Sequence, residues 1–123
     1  MYGFSAGLDL RNIIGCNLSL LGLGEFDVQF NFGGSGIRFC IQGRICLLEN
    51  GRPISAWDDQ TKWTSLSFQK LLNVTVKSYS VSNDRLLEIN FENGLTLQLH
   101  DDSEQYEAMQ IYFDDKTKDT III

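Results

Sequence analysis

One proline, one histidine and no apolar run near the roughly 18 residues of a membrane-spanning helix set the first limits on this 123-residue chain. The opening MYGFSAGLDLRNIIG has no basic stretch followed by a sustained apolar run, so no secretory signal is read there and a cytoplasmic protein is expected. The cysteines, Cys16, Cys40 and Cys46, are odd in number and lack CxxC spacing, which argues against a disulfide framework and a zinc site. They read as reduced core thiols. Cys40, whose face also carries Arg38 and Gln42, is the candidate reactive one.

Basic residues are also scarce, ten against sixteen acids. The formal charge of −6 is uneven: residues 1–80 hold six acids and seven bases, whereas residues 81–123 hold ten acids and three bases, a net of −7. Nucleic acid and anionic membrane surfaces both need a basic face and are disfavoured as partners. A basic protein partner would be attracted.

What the chain does have is aromatic and glycine content, eight Phe, four Tyr and eleven Gly, which favours strands joined by tight turns. Residues 26–32 (FDVQFNF) alternate, placing Phe26, Val28, Phe30 and Phe32 on a core face. In residues 16–23 (CNLSLLGL) the same reasoning puts Cys16, Leu18 and Leu20 on one face. Gly33-Gly34-Ser35-Gly36 lacks the spacing of a phosphate loop or a nucleophile elbow and reads as a hairpin turn. Gly22-Leu23-Gly24 lacks the third glycine of a dinucleotide fingerprint, since position 27 is Asp27. No cofactor is expected.

Residues 8–14 (LDLRNII) and 67–72 (SFQKLL) each predict a short helix, and residues 54–67, which hold both tryptophans, read as a connector without a clear period. The second helix begins a repeat. Ile13, Ile14, Cys16 and Leu18 recur 58 positions later as Leu71, Leu72, Val74 and Val76; Val28, Phe30 and Phe32 recur 59 later as Leu87, Ile89 and Phe91; Gly36, Ile37, Phe39 and Ile41 recur at 58 as Gly94, Leu95, Leu97 and Leu99. The changes of spacing fall in turns, where they leave strand faces intact. The expected fold is therefore mainly β: one domain of two related antiparallel halves, about 8–48 and 66–113, each a short helix plus about four strands. The halves are expected to pack as a sandwich or partly open barrel. Residues 120–123 (TIII) read as a final edge strand.

No motif nominates a catalytic residue. His100, beside Asp101 and Asp102, could be a general base or metal ligand, but one histidine among acids reads more simply as a solvated strand end. The acids Glu88, Glu92, Asp101, Asp102, Glu104 and Glu107 form the strongest lead, a one-signed surface that would steer a basic partner. Trp57 and Trp63, in the polar connector, are candidate apolar anchors.

Tyr2-Gly3-Phe4, Leu8-Asp9-Leu10, Ile13-Ile14-Gly15, Phe30-Asn31-Phe32 and the ending Asp101-Asp102-Ser103-Glu104 with Tyr106-Glu107 and Ile111 together resemble a family of small bacterial single-domain proteins of unassigned function. In size, acidity and β content the chain is also loosely similar to immunity proteins of bacterial toxin systems. That resemblance implies a non-catalytic protein that binds and blocks a cognate toxin. The alternatives are a small enzyme or small-ligand binder with its site between the halves, and a purely structural oligomer subunit.

Overall fold

The computed structural model describes residues 3–102, 107–115 and 117–123. Ten strands are named: β1 (Leu18–Leu23), β2 (Val28–Phe32), β3 (Ile37–Ile41), β4 (Ile45–Glu49), β5 (Arg52–Trp57), β6 (Val76–Asn83), β7 (Leu86–Phe91), β8 (Leu95–His100), β9 (Met109–Phe113) and β10 (Ile121–Ile122). They form two antiparallel five-stranded sheets, ordered β1-β2-β3-β9-β10 and β5-β4-β8-β7-β6. The two expected helices are not α-helical. Arg11–Ile13 and Leu66–Leu71 are 3₁₀ segments of three and six residues, too short for the α-helical ladder to repay its nucleus. Among the described residues no helix is long and apolar enough to cross a membrane.

Alternation explains the core. Val28, Phe30 and Phe32 from the first sheet and Leu87, Ile89 and Phe91 from the second are all buried, and they belong to one apolar cluster with Leu47, Leu97, Met109 and Ile111. Two expected inward residues lie outside it. Phe26 precedes the start of β2 in the turn and is 64% exposed. Leu20 is 52% exposed because the β1/β2 register shifts between Leu18 and Leu20; that irregularity turns Leu21, not Leu20, toward the core opposite Phe30.

Both sheets are assembled by one rule. Each half of the chain gives its first three strands to one sheet and its last two to the other, so β4 and β5 join β8 while β9 and β10 join β3. Where the halves meet, Asn17 bridges Thr75, and the hydrogen bonds repeat with partners exchanged. Leu18 N donates to Val74 O (3.2 Å) and Val76 N to Cys16 O (2.9 Å), while Gly15 N donates to Val76 O (2.9 Å) and Asn73 N to Leu18 O (2.8 Å). Gly15 and Asn73, 58 positions apart, both take a positive φ, 84° and 64°, a conformation in which glycine and asparagine are the least strained.

The segment read as a connector contains a strand. Glu49 pairs with Arg52 across a two-residue turn whose central residues, Asn50 and Gly51, both have positive φ, as a type I′ hairpin requires, and β5 follows.

Candidate functional site

The links between the sheets converge at one end of the molecule. From β3 the chain passes through Gln42, Gly43 and Arg44 into β4, and from β8 through residues 101–108 into β9. These crossovers touch: Gln42 N and Gly43 N both donate to Ala108 O (2.8 Å each), and His100 N donates to Arg44 O (3.0 Å). A side chain at Gly43 would meet His100 O at 2.8 Å, so the contact demands glycine. The exit from β5 arrives at the same place. There the Asp58 carboxylate accepts from Gln60 N (2.9 Å) and Thr61 N (2.7 Å), bonds to Thr61 above all that hold its pKa below the usual value.

Gln42, Arg44, Asp58, Asp59, Asp102 and Glu107 line a cleft of about 270 Å³ at this junction. Among these described residues four carboxylates face one guanidinium. Arg44 Nε contacts Asp102 Oδ2 at 2.6 Å, but both side chains are half exposed and the pair adds little stability. The cleft is therefore an acidic rim with one internal counter-charge.

This grouping differs from the acidic patch expected from the sequence. Asp101 is completely buried: its Oδ2 accepts from Gly3 N (2.8 Å) and lies 3.7 Å from Arg85 Nη1, so it ties the N-terminal segment to the second sheet and is no rim charge. Glu92 sits in the β7–β8 turn, at the opposite end of β8 from Asp102; six strand residues separate them, roughly 20 Å. Glu88 lies mid-sheet, accepting from Ser82 Oγ (2.8 Å) and Gln98 Nε2 (3.2 Å). Glu104 lies outside the described residues. Asp102 and Glu107 do come together, joined by Asp58 and Asp59, which chain proximity could not have paired with them.

The tryptophans also divide. Trp57 is only 3% exposed, a core residue opposite Ile45, which removes it as an exposed anchor. Trp63 is partly buried and stacks on Phe68 with ring centroids 4.7 Å apart. Beside it, Leu23, Asp27, Trp57, Lys62 and Trp63 line a second, mainly apolar groove of about 290 Å³. Leu23, 62% exposed, stands at its edge. The neighbouring Phe26 ring lies 5.3 Å beneath the Lys62 ammonium, which donates to the carbonyls of Glu25 and of Asp59 (2.6 Å). The connector thus borders both the acidic cleft and the apolar groove.

Two candidate reactive groups are subdued by their surroundings. Burial, reinforced by a hydrogen bond from Cys40 Sγ to Asp27 Oδ2 (3.1 Å), pushes the Cys40 thiol up to about 11, which overturns the expectation that it is reactive. His100 Nδ1 lies 3.2 Å from Arg44 Nη2, and since a guanidinium has only donors, Nδ1 accepts and the neutral ring carries its proton on Nε2. Nε2 is buried with no hydrogen-bond partner among the described residues. Burial first, then the Arg44 charge, lower the His100 pKa. Among the described residues no group of three His, Cys, Asp or Glu side chains could hold a metal ion.

No family model, curated protein or solved structure matches this chain.

Proposed function

We propose that this is a non-catalytic acidic binding protein whose partner is a basic protein, as an immunity protein neutralising a bacterial toxin would be. The observation that carries the reading is the placement of the acid-rimmed cleft of Asp58, Asp59, Asp102 and Glu107 beside an apolar groove edged by exposed Leu23, with exposed Phe26 under Lys62 next to it, on two sides of one connector. A stable protein interface combines an apolar centre with a polar rim. Excess charge of one sign raises the rate of encounter more than the final affinity. A partner met in the cytoplasm would also suit a chain whose three thiols are unpaired. An open sandwich of the two sheets gives such a surface a rigid support. The alternative of a small enzyme or small-ligand site between the halves would use the same cleft, but His100 is not in its lining, and its Nδ1 is taken by Arg44 while its Nε2 is buried.

The test is association rate against ionic strength, measured with whatever basic protein copurifies with the chain or is encoded beside it, for wild type and for Asp59→Lys with Glu107→Lys. Both positions are exposed, so the fold should persist. The double variant is expected to associate about tenfold more slowly at low salt, with a flatter salt dependence. Coincident rates at every salt concentration would remove the acidic rim from the interface.

A further inference from the structure

Lys62 borders the groove beside Trp63, and the corresponding position in the other half is held by a buried aromatic side chain. At the spacing of 58 that relates Gly15 to Asn73, residue 62 corresponds to residue 4. Phe4 straps the β6–β7 turn, its N donating to Asp84 O (2.7 Å), and its ring is buried in the core. Lys62 straps the β1–β2 turn in the same sense, through its ammonium to the carbonyl of Glu25, 59 residues before Asp84, but its side chain is exposed. One strap delivers a phenyl ring to the core; the other delivers a cation that stays exposed at the rim of a groove whose apolar walls are the exposed Leu23, the partly buried Trp63 and the edge of the buried Trp57.

The geometry points to this groove as the receptor for one aromatic side chain of a partner, carried on a segment rich in lysine or arginine; the inference rests on the reading of a basic protein partner. Three observations fix the occupant. A volume of about 290 Å³ falls just below the roughly 300 to 1,000 Å³ of small-molecule pockets and suits a single side chain. Phe4, in the counterpart position, supplies the chemistry that fits. Glu25 and Asp27 at the groove, with Asp58, Asp59, Asp102 and Glu107 at the adjoining cleft, outnumber the two cations Lys62 and Arg44, so the flanks of the incoming segment meet net negative charge. A second copy of this chain, itself at −6, is the wrong charge.

Trp63 reports directly on the site, because it lines the groove, and its indole Nε1 is buried with no hydrogen-bond partner among the described residues. The experiment follows its indole resonance and the backbone spectrum during titration with three capped peptides, Lys-Lys-Phe-Lys-Lys, Lys-Lys-Ser-Lys-Lys and Glu-Glu-Phe-Glu-Glu. The first should shift Trp63 and bind at least about tenfold tighter than either control, the size of a hot-spot contact. Leu23→Ser, at an exposed position that leaves the fold intact, should bring it down to the level of the serine control. Equal binding of the first two peptides, or an unchanged affinity in Leu23→Ser, overturns the aromatic receptor while leaving the basic partner standing. Equal binding of the first and third overturns the basic partner as well. No shift with any peptide at millimolar concentration overturns the site.

Discussion

Replacing Phe39 by alanine tests whether the two sheets are one cooperative structure. Phe39 is the central residue of β3, fully buried, opposite Phe30 on one side and Ile111 on the other, with its ring edge-on to Phe32 at 5.6 Å and 68°. Truncating a buried phenylalanine costs about 3 to 5 kcal/mol, which includes the cavity left between these neighbours, and the lost edge-on contact accounts for about 0.5 to 1.5 kcal/mol of it. At about 2.1 cal/mol/K per residue the unfolding entropy of 123 residues is about 0.26 kcal/mol/K, so the midpoint should fall by about 12 to 19 °C. The assay is thermal unfolding followed by far-UV circular dichroism and by tryptophan fluorescence. Phe39 lies in the first sheet, whereas Trp57 ends β5 in the second and Trp63 is in the connector, so fluorescence reports on the part that was not mutated. Both signals should shift together, because β9, the neighbour of Phe39, belongs to the same half of the chain that supplies β6, β7 and β8. A fluorescence transition left at the wild-type temperature would refute the single core, and a shift below about 3 °C would refute the burial of Phe39.

Glycine positions with the same backbone conformation should differ in cost: Gly51 and Gly94 have φ of 82° and 85°, but a Cβ on Gly51 meets open space and one on Gly94 would overlap Asn50 Oδ1. Gly51→Ala should cost about 1 kcal/mol, and Gly94→Ala clearly more by chemical denaturation; equal costs would show that the two turns do not touch. His100, observed by NMR, should protonate below its ordinary 6.5, and Arg44→Ala should raise its pKa because a neighbouring cation is removed. Since the unfolded chain binds that proton more readily, stability should fall as pH drops below about 6.5 and level off once the folded pKa is passed. A His100 pKa at or above 6.5 would contradict the buried ring against Arg44.

The strands that alternate cleanly were legible in the sequence: Val28, Phe30 and Phe32, and Leu87, Ile89 and Phe91, are buried as the period of two requires. β5 was not, because a serine occupies one of its buried positions. Ser55 and Trp57 are buried while Ile54 and Ala56 are only partly so, and the buried serine, satisfied by donating to Ser65 O (3.1 Å), erases the apolar alternation. Leu20 was misplaced because one irregular step in β1 reverses a face without changing composition. Periodicity also states which side of a strand is buried but not which sheet the strand joins. Hence the destination of β4, and with it the meeting of Asp58 with Asp102, could not be read from the chain. For the charged residues, nearness in sequence misled: Asp101 and Asp102 are adjacent, yet one is sealed under Gly3 and Arg85 and the other stands in solvent beside Arg44.

Because the terminal strands are exchanged between the sheets, residues 58–65 of the connector carry no strand pairing of their own yet keep both partners of every exchanged pairing in one chain. Severed between Asp58 and Ser65, the chain would yield two fragments, each holding three strands of one sheet and a strand pair whose partner sheet is on the other fragment. Neither fragment can satisfy its own edges, since the β4 side of β8 and the β9 side of β3 would lie open. The pair can reassemble with every strand contact restored. A connector too short to let one chain fold back would direct the same pairing between two molecules, so shortening this segment is the change expected to turn the exchanged pairing into an intertwined dimer.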